Sequence, residues 1–124
     1  MLVVTMVLKL SSLVFDVELA FLNAKMDFDN YMATPKGVEA DGDECVLLLK
    51  ALYGSLQASR LWGLHYAKIM KKIGFRQSKS DPCLFVRQNE KGLAMRRYLA
   101  RRGIELGASS SVPEFRSLVG AGFL

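Results

Sequence analysis

The sequence predicts an α+β fold, with a few short antiparallel strands and one main helix packed on them. Three observations carry that reading. Leu13-Val14-Phe15-Asp16-Val17 is a run of strand-forming apolar residues broken by one carboxylate. Residues 45–49 (CVLLL) and 83–86 (CLFV) are two more short apolar runs with turn-forming residues nearby. Between them, Trp62, Tyr66, Ile69, Met70 and Ile73 fall on one face of a 3.6-residue period.

Taken in order, residues 1–9 (MLVVTMVLK) read as the end of a buried element, which suggests that something upstream has been cut away. Ser11-Ser12 punctuates the chain before the Asp16 strand. Residues 22–26 suit a short helical turn, and Tyr31-Met32-Ala33-Thr34 suits a short strand ended by Pro35. An acidic loop over 37–43 leads to the 45–49 strand. Gly54 lets the backbone turn. The helix spans about 59–73, with Gly74 at its C′ position. Asp81-Pro82 turns the chain into the strand at 83–86, and residues 88–92 (QNEKG) form a turn that calls for a partner strand. The residues that follow, LAMRRYLARRG, read instead as a basic amphipathic helix over 93–102. A boundary therefore falls at Gly92, dividing a unit over 1–92 from a basic helical tail over 93–124.

Composition narrows the classes. Hydrophobic residues make up 51% of the 124, too many for a disordered tail. The net charge of +5 is uneven: residues 61–124 carry 12 Lys+Arg against 4 Asp+Glu, while residues 1–60 carry 5 against 8. A basic half suits a polyanion, or is simply a solvated basic face. Cys45 and Cys83 form no CxxC and have no neighbouring His, so they read as free thiols of an intracellular protein. The apolar start is broken by Lys9 and is far short of a bilayer span. It also lacks a signal-peptide pattern, and cytoplasm and nucleus are not distinguished. His65 stands near the edge of the apolar helix face with no acidic or Cys neighbour, which favours a structural role.

An ionised Asp inside an apolar strand costs free energy unless a cation or donors meet it. Asp16 is thus either a surface residue at a strand end or a metal ligand. The order of later segments bears on that choice: DVELAFLN (16–23), NYM (30–32), PKG (35–37), LYGSLQASRLW (52–62), IGF (73–75) and SDPCLFV (80–86). In order and spacing this series resembles the reverse transcriptase of copia-type LTR retrotransposons, over about residues 10–92. That family shows DVKTAFLNG, an acidic stretch with IYM, P-E-G-F, LYGLKQAPRxW, a GF and S-DPCLY.

The resemblance implies a partial palm-and-fingers fold and RNA-directed DNA polymerase chemistry on an RNA or DNA template–primer, with no membrane. It implies two divalent cations, Mg²⁺, held by three carboxylates. Asp16 matches the first of these as catalytic residue and metal ligand. Leu19 and Ala20 match backbone beside the triphosphate. Phe21 matches the bulky residue at the sugar 2′ position, core packing being the alternative, and Tyr53 and Gly54 match the nucleotide-pocket turn. Glu18, two residues on along a strand, would share the face of Asp16 and hold Mg²⁺ weakly with it.

The departures bear on activity. Leu56 and Ser59 replace the family's Lys and Pro. No Asp follows Asp81, so the Tyr-Val-Asp-Asp-like hairpin sequence is absent and the chain is expected to be catalytically inactive. Residues 113–121 (PEFRSLVGA) resemble a later P-Y-R-S-L-V-G-A-L segment, which implies that 93–124 is a displaced downstream piece joined at Gly92; a chance match in an unrelated frame is the alternative. Two rival classes stand beside the enzyme fragment. One is a non-catalytic nucleic-acid binder using Arg87, Lys91, Arg96, Arg97, Arg101 and Arg102. The other is a transposon relic without function, whose exposed strands aggregate.

Overall fold

The computed structural model describes residues 2–38, 44–90, 92–99 and 102–107. Helix α1 (Leu2–Val7) leads to strand β1 (Ser11–Asp16), and a 3₁₀ turn (Ala20–Asn23) follows. Strands β2 (Tyr31–Ala33) and β3 (Cys45–Leu47) form a separate two-stranded antiparallel sheet. Helix α2 (Ala58–Lys72) precedes β4 (Arg76–Gln77), β5 (Leu84–Asn89), β6 (Gly92–Leu99) and β7 (Arg102–Gly107). A five-stranded sheet runs in the order β1-β7-β6-β5-β4, every pair antiparallel. The architecture is α+β.

The α2 apolar stripe does what its period requires. Trp62, Tyr66 and Met70 are buried and join Val17, Ala20, Phe75, Phe85 and Ala94 in one core, with Ile69 and Ile73 at its margin. Tyr66 meets Phe85 edge-on at 5.6 Å and Tyr98 at 4.7 Å, which ties the helix to the sheet through rings. The helix closes on Gly74 at φ 84°. The Phe75 N–H donates to the Met70 carbonyl at 2.9 Å and the Gly74 N–H to the Lys71 carbonyl at 3.1 Å, the Schellman pattern. Phe75 then drops into the core beside Met70.

Several expectations are corrected. Residues 93–102 are not a helix: Gly92–Leu99 is a strand, followed by another from Arg102. The turn after β5 does receive its partner, with Asn89 opposite Gly92. The Arg run suggested a basic helix face, but strand alternation sends neighbouring residues to opposite sides. Ala94 and Arg96 are buried, while Arg97 is exposed. In the sheet, β1 lies beside β7 with β5 two strands further on, and residues 45–47 pair with β2. Residues 2–7 do form a helix, but it is not buried: Val3 and Met6 are 72% and 79% exposed. The match at 113–121 lies outside the described residues.

Candidate functional site

Asp16 ends β1 and is exposed. Its cross-strand partner is Arg102, the first residue of β7. The hairpin that supplies this neighbour joins β6 to β7 with Leu99 opposite Arg102. The end of the β6–β7 ladder therefore lies beside Asp16, and the residue in register with Asp16 there is an arginine. Glu18 does not share the strand face of Asp16, because β1 stops at Asp16 and residues 18–19 are a turn. Among the described residues, no three of His, Cys, Asp and Glu gather where they could hold a metal ion. Among the described residues, Asp16 without further carboxylates beside it does not fit a two-cation centre, which needs converging carboxylate oxygens.

Beyond Asp16, Val17 turns into the core and Leu19 takes the left-handed conformation at φ 49°. That kink starts the 3₁₀ turn, where the Leu22 N–H donates to the Leu19 carbonyl at 2.9 Å. The Asn23 side-chain amide donates to the Leu19 carbonyl at 3.2 Å and the Glu18 carbonyl at 3.4 Å, which braces the bend. Ala20 is buried, and Phe21 packs against the core. Phe21 meets Tyr53 with ring centroids 4.5 Å apart. Tyr53 stands on a tight turn in which the Ser55 N–H and hydroxyl both donate to the Leu52 carbonyl, at 3.1 and 2.8 Å. Gly54 has φ 95° there, a conformation that suits glycine. So the structure brings Phe21 and Tyr53 together and sets Leu19 and Ala20 in the adjoining bend.

The described side chains among the basic residues named for nucleic acid, Arg87, Arg96 and Arg97, do not form one surface. Arg96 is fully buried, its guanidinium 4.8 Å from the Phe75 ring and 5.9 Å from the Phe15 ring. Cation–π contacts make that burial tolerable, and they keep Arg96 from any outside ligand. Arg87 is half-buried, lies 4.8 Å from the Phe75 ring and donates to the Ile73 carbonyl at 3.3 Å. Arg97 is exposed and pairs with Asp81 at 3.2 Å. Lys91 and Arg101 lie outside the described residues, and Arg102 is described by its backbone.

A different cationic region escaped the sequence reading. Lys25, His65, Lys68 and Lys72 line a cleft of about 490 Å³ between α2 and the segment after the 3₁₀ turn. Burial holds the His65 pKa below its ordinary value, and the charges of Lys68 and Lys72 lower it further. The ring stacks on Trp62 at 5.9 Å. The available signal was α2 itself, in which no acidic residue occurs.

Residues 2–111 match the family model "Reverse transcriptase (RNA-dependent DNA polymerase)". The chain is 35% identical over 75 residues, 59% of its length, to the "Retrovirus-related Pol polyprotein from transposon TNT 1-94" of Nicotiana tabacum. It is 41% identical over 80 residues, 63% of its length, to the corresponding polyprotein of transposon RE1 from Arabidopsis thaliana. A transposon Ty5-1 protein of Saccharomyces cerevisiae is 37% identical over 79 residues, 62% of this chain and 26% of that protein. The chain spans about 6% of the length of the tobacco and Arabidopsis polyproteins. No solved structure matches. No helix of the described residues is long and apolar enough to cross a membrane. The resemblance to copia-type retrotransposon enzymes is borne out, and the chain belongs to the reverse transcriptase (RNA-dependent DNA polymerase) family.

Proposed function

We propose that this chain is a reverse-transcriptase palm-and-fingers unit whose metal-holding tip has reversed its charge, so that it keeps the fold without nucleotidyl transfer. The observation that carries the reading is the cross-strand pairing of Asp16 with Arg102. In the family, three carboxylates hold two divalent cations about 4 Å apart, and those cations clamp the attacking and leaving oxygens. Here one carboxylate of that set remains. An arginine opposite Asp16 repels a divalent cation.

On this reading the five-stranded sheet with α2 is palm, and β2–β3 belong to the fingers. Leu99 and Arg102, the facing ends of β6 and β7, flank the place where the family has its Tyr-Val-Asp-Asp-like tip. Leu19, Ala20, Phe21, Tyr53 and Gly54 are the remains of the nucleotide pocket, and the Phe21–Tyr53 contact supports that assignment. Mg²⁺ and an RNA or DNA template–primer are the cofactor and partner the family implies. The paired strands β6 and β7 take the place of the catalytic hairpin, and the resemblance at 113–121 supports a displaced downstream origin for part of the 93–124 tail.

The test is template-directed incorporation of a labelled deoxynucleotide by the purified chain, with Mg²⁺ or Mn²⁺. No incorporation above background is expected. Incorporation that vanishes in Asp16→Asn overturns the proposal.

A further inference from the structure

We propose that the side of α2 facing Lys25 is a binding track for the phosphate backbone of single-stranded nucleic acid, separate from the Asp16 region. The track is a cleft of about 490 Å³ that gathers Lys25, His65, Lys68 and Lys72. Among the described residues, no Asp or Glu lines it. Lys25, Lys68 and Lys72 form no ion pair with another described residue, whereas Arg60 pairs with Asp27 and Arg97 with Asp81. Lys68 and Lys72 are one helical turn apart on one face, and like charges so placed weaken a helix unless an anion lies between them. His65 registers the same convergence, since both lysines oppose its protonation.

Two features favour nucleic acid over an acidic peptide. The cleft has an apolar wall that includes Leu64, which is 56% exposed, beside the His65 imidazole. Bases stack on such rings, whereas carboxylate side chains need no flat apolar surface. The cleft also continues. Leu64 and Lys68 line a second cleft of about 420 Å³ on their other side, where Lys71 adds charge. A strand crossing α2 there meets cations over several nucleotides. Asp16, Phe21 and Tyr53 line neither cleft, so the inference stands whether or not the Asp16 region is inert.

Fluorescence anisotropy with a labelled single-stranded oligonucleotide tests this on the full chain. Each lost phosphate contact lowers the slope of log K against log salt by about 0.7. The triple variant Lys25→Gln, Lys68→Gln, Lys72→Gln should therefore flatten the slope by about 2. A control triple at exposed positions outside both clefts, Lys9→Gln, Lys36→Gln, Lys79→Gln, should leave the slope near that of the parent. Equal losses in the two triples, or no loss in either, overturn the proposal. So does polyglutamate that competes as well as the oligonucleotide. The unaltered chain supplies a readout that needs no variant: its single histidine. The His65 ring resonances should shift on titration with the oligonucleotide, and resonances that do not move as anisotropy saturates overturn the assignment.

Discussion

Asp16 and Arg102 are cross-strand partners at the end of the β1–β7 ladder. Partners opposite one another share a sheet face, and opposite charges there contribute roughly 0.2–1 kcal/mol. Asp16→Arg sets two cations opposite each other and should destabilise by a comparable amount. The measure is urea unfolding, and the loss should shrink in 1 M salt, where screening reaches about 3 Å.

Trp62 is 1% exposed and packs between α2 and the sheet. Trp62→Ala should cost about 3–5 kcal/mol. Leu64, on the outer face, should tolerate alanine within about 0.5 kcal/mol. Chemical denaturation of the two variants separates these outcomes.

Gly63 lies under Tyr98. A Cβ at Gly63 would stand 2.7 Å from the Tyr98 hydroxyl oxygen, and the Tyr98 ring is held by Tyr66 at 4.7 Å and Phe85 at 6.1 Å. Alanine gains about 1 kcal/mol of helix propensity but meets an overpacking cost of about 1–3 kcal/mol. Gly63→Ala should thus be neutral to destabilising in the parent and stabilising in Tyr98→Phe. A double-mutant cycle by thermal unfolding reads the coupling.

The depressed His65 pKa makes a signed pH prediction. Burial comes first, then Lys68 and Lys72, and all three favour the neutral ring in the folded state. Above the unfolded value of 6.5 both states are neutral and the full stability is present. As pH falls below that, the unfolded chain takes the proton first, so stability declines until the folded pKa is passed. His65→Gln should flatten the stability–pH curve just below pH 6.5, as read by thermal melts.

What the sequence made legible follows the strength of its periodic signals. The α2 stripe and the Gly74 stop needed only local spacing and glycine geometry, and both are present as read. The Phe21–Tyr53 neighbourhood followed from motif order. β6 was illegible because its pattern puts an arginine, Arg96, at a buried position. Burial of that charge is made tolerable by Phe15 and Phe75, which come from other elements and cannot be seen in the local pattern. Misreading β6 hid the hairpin, and with it the pairing of Asp16. The α2 cleft was missed for a related reason: Lys25 lies far from Lys68 and Lys72 in the chain, and only the fold brings them to one groove.

Mn²⁺ titration monitored by water-proton relaxation tests most directly whether an arginine in register with Asp16, in place of the family's carboxylates, leaves no cation site. The parent chain should show no Mn²⁺ uptake that depends on Asp16. Arg102→Asp, which sets a second carboxylate opposite the first, should gain uptake that is lost again when Asp16→Asn is added. Saturable Mn²⁺ binding by the parent that disappears in Asp16→Asn would contradict the account.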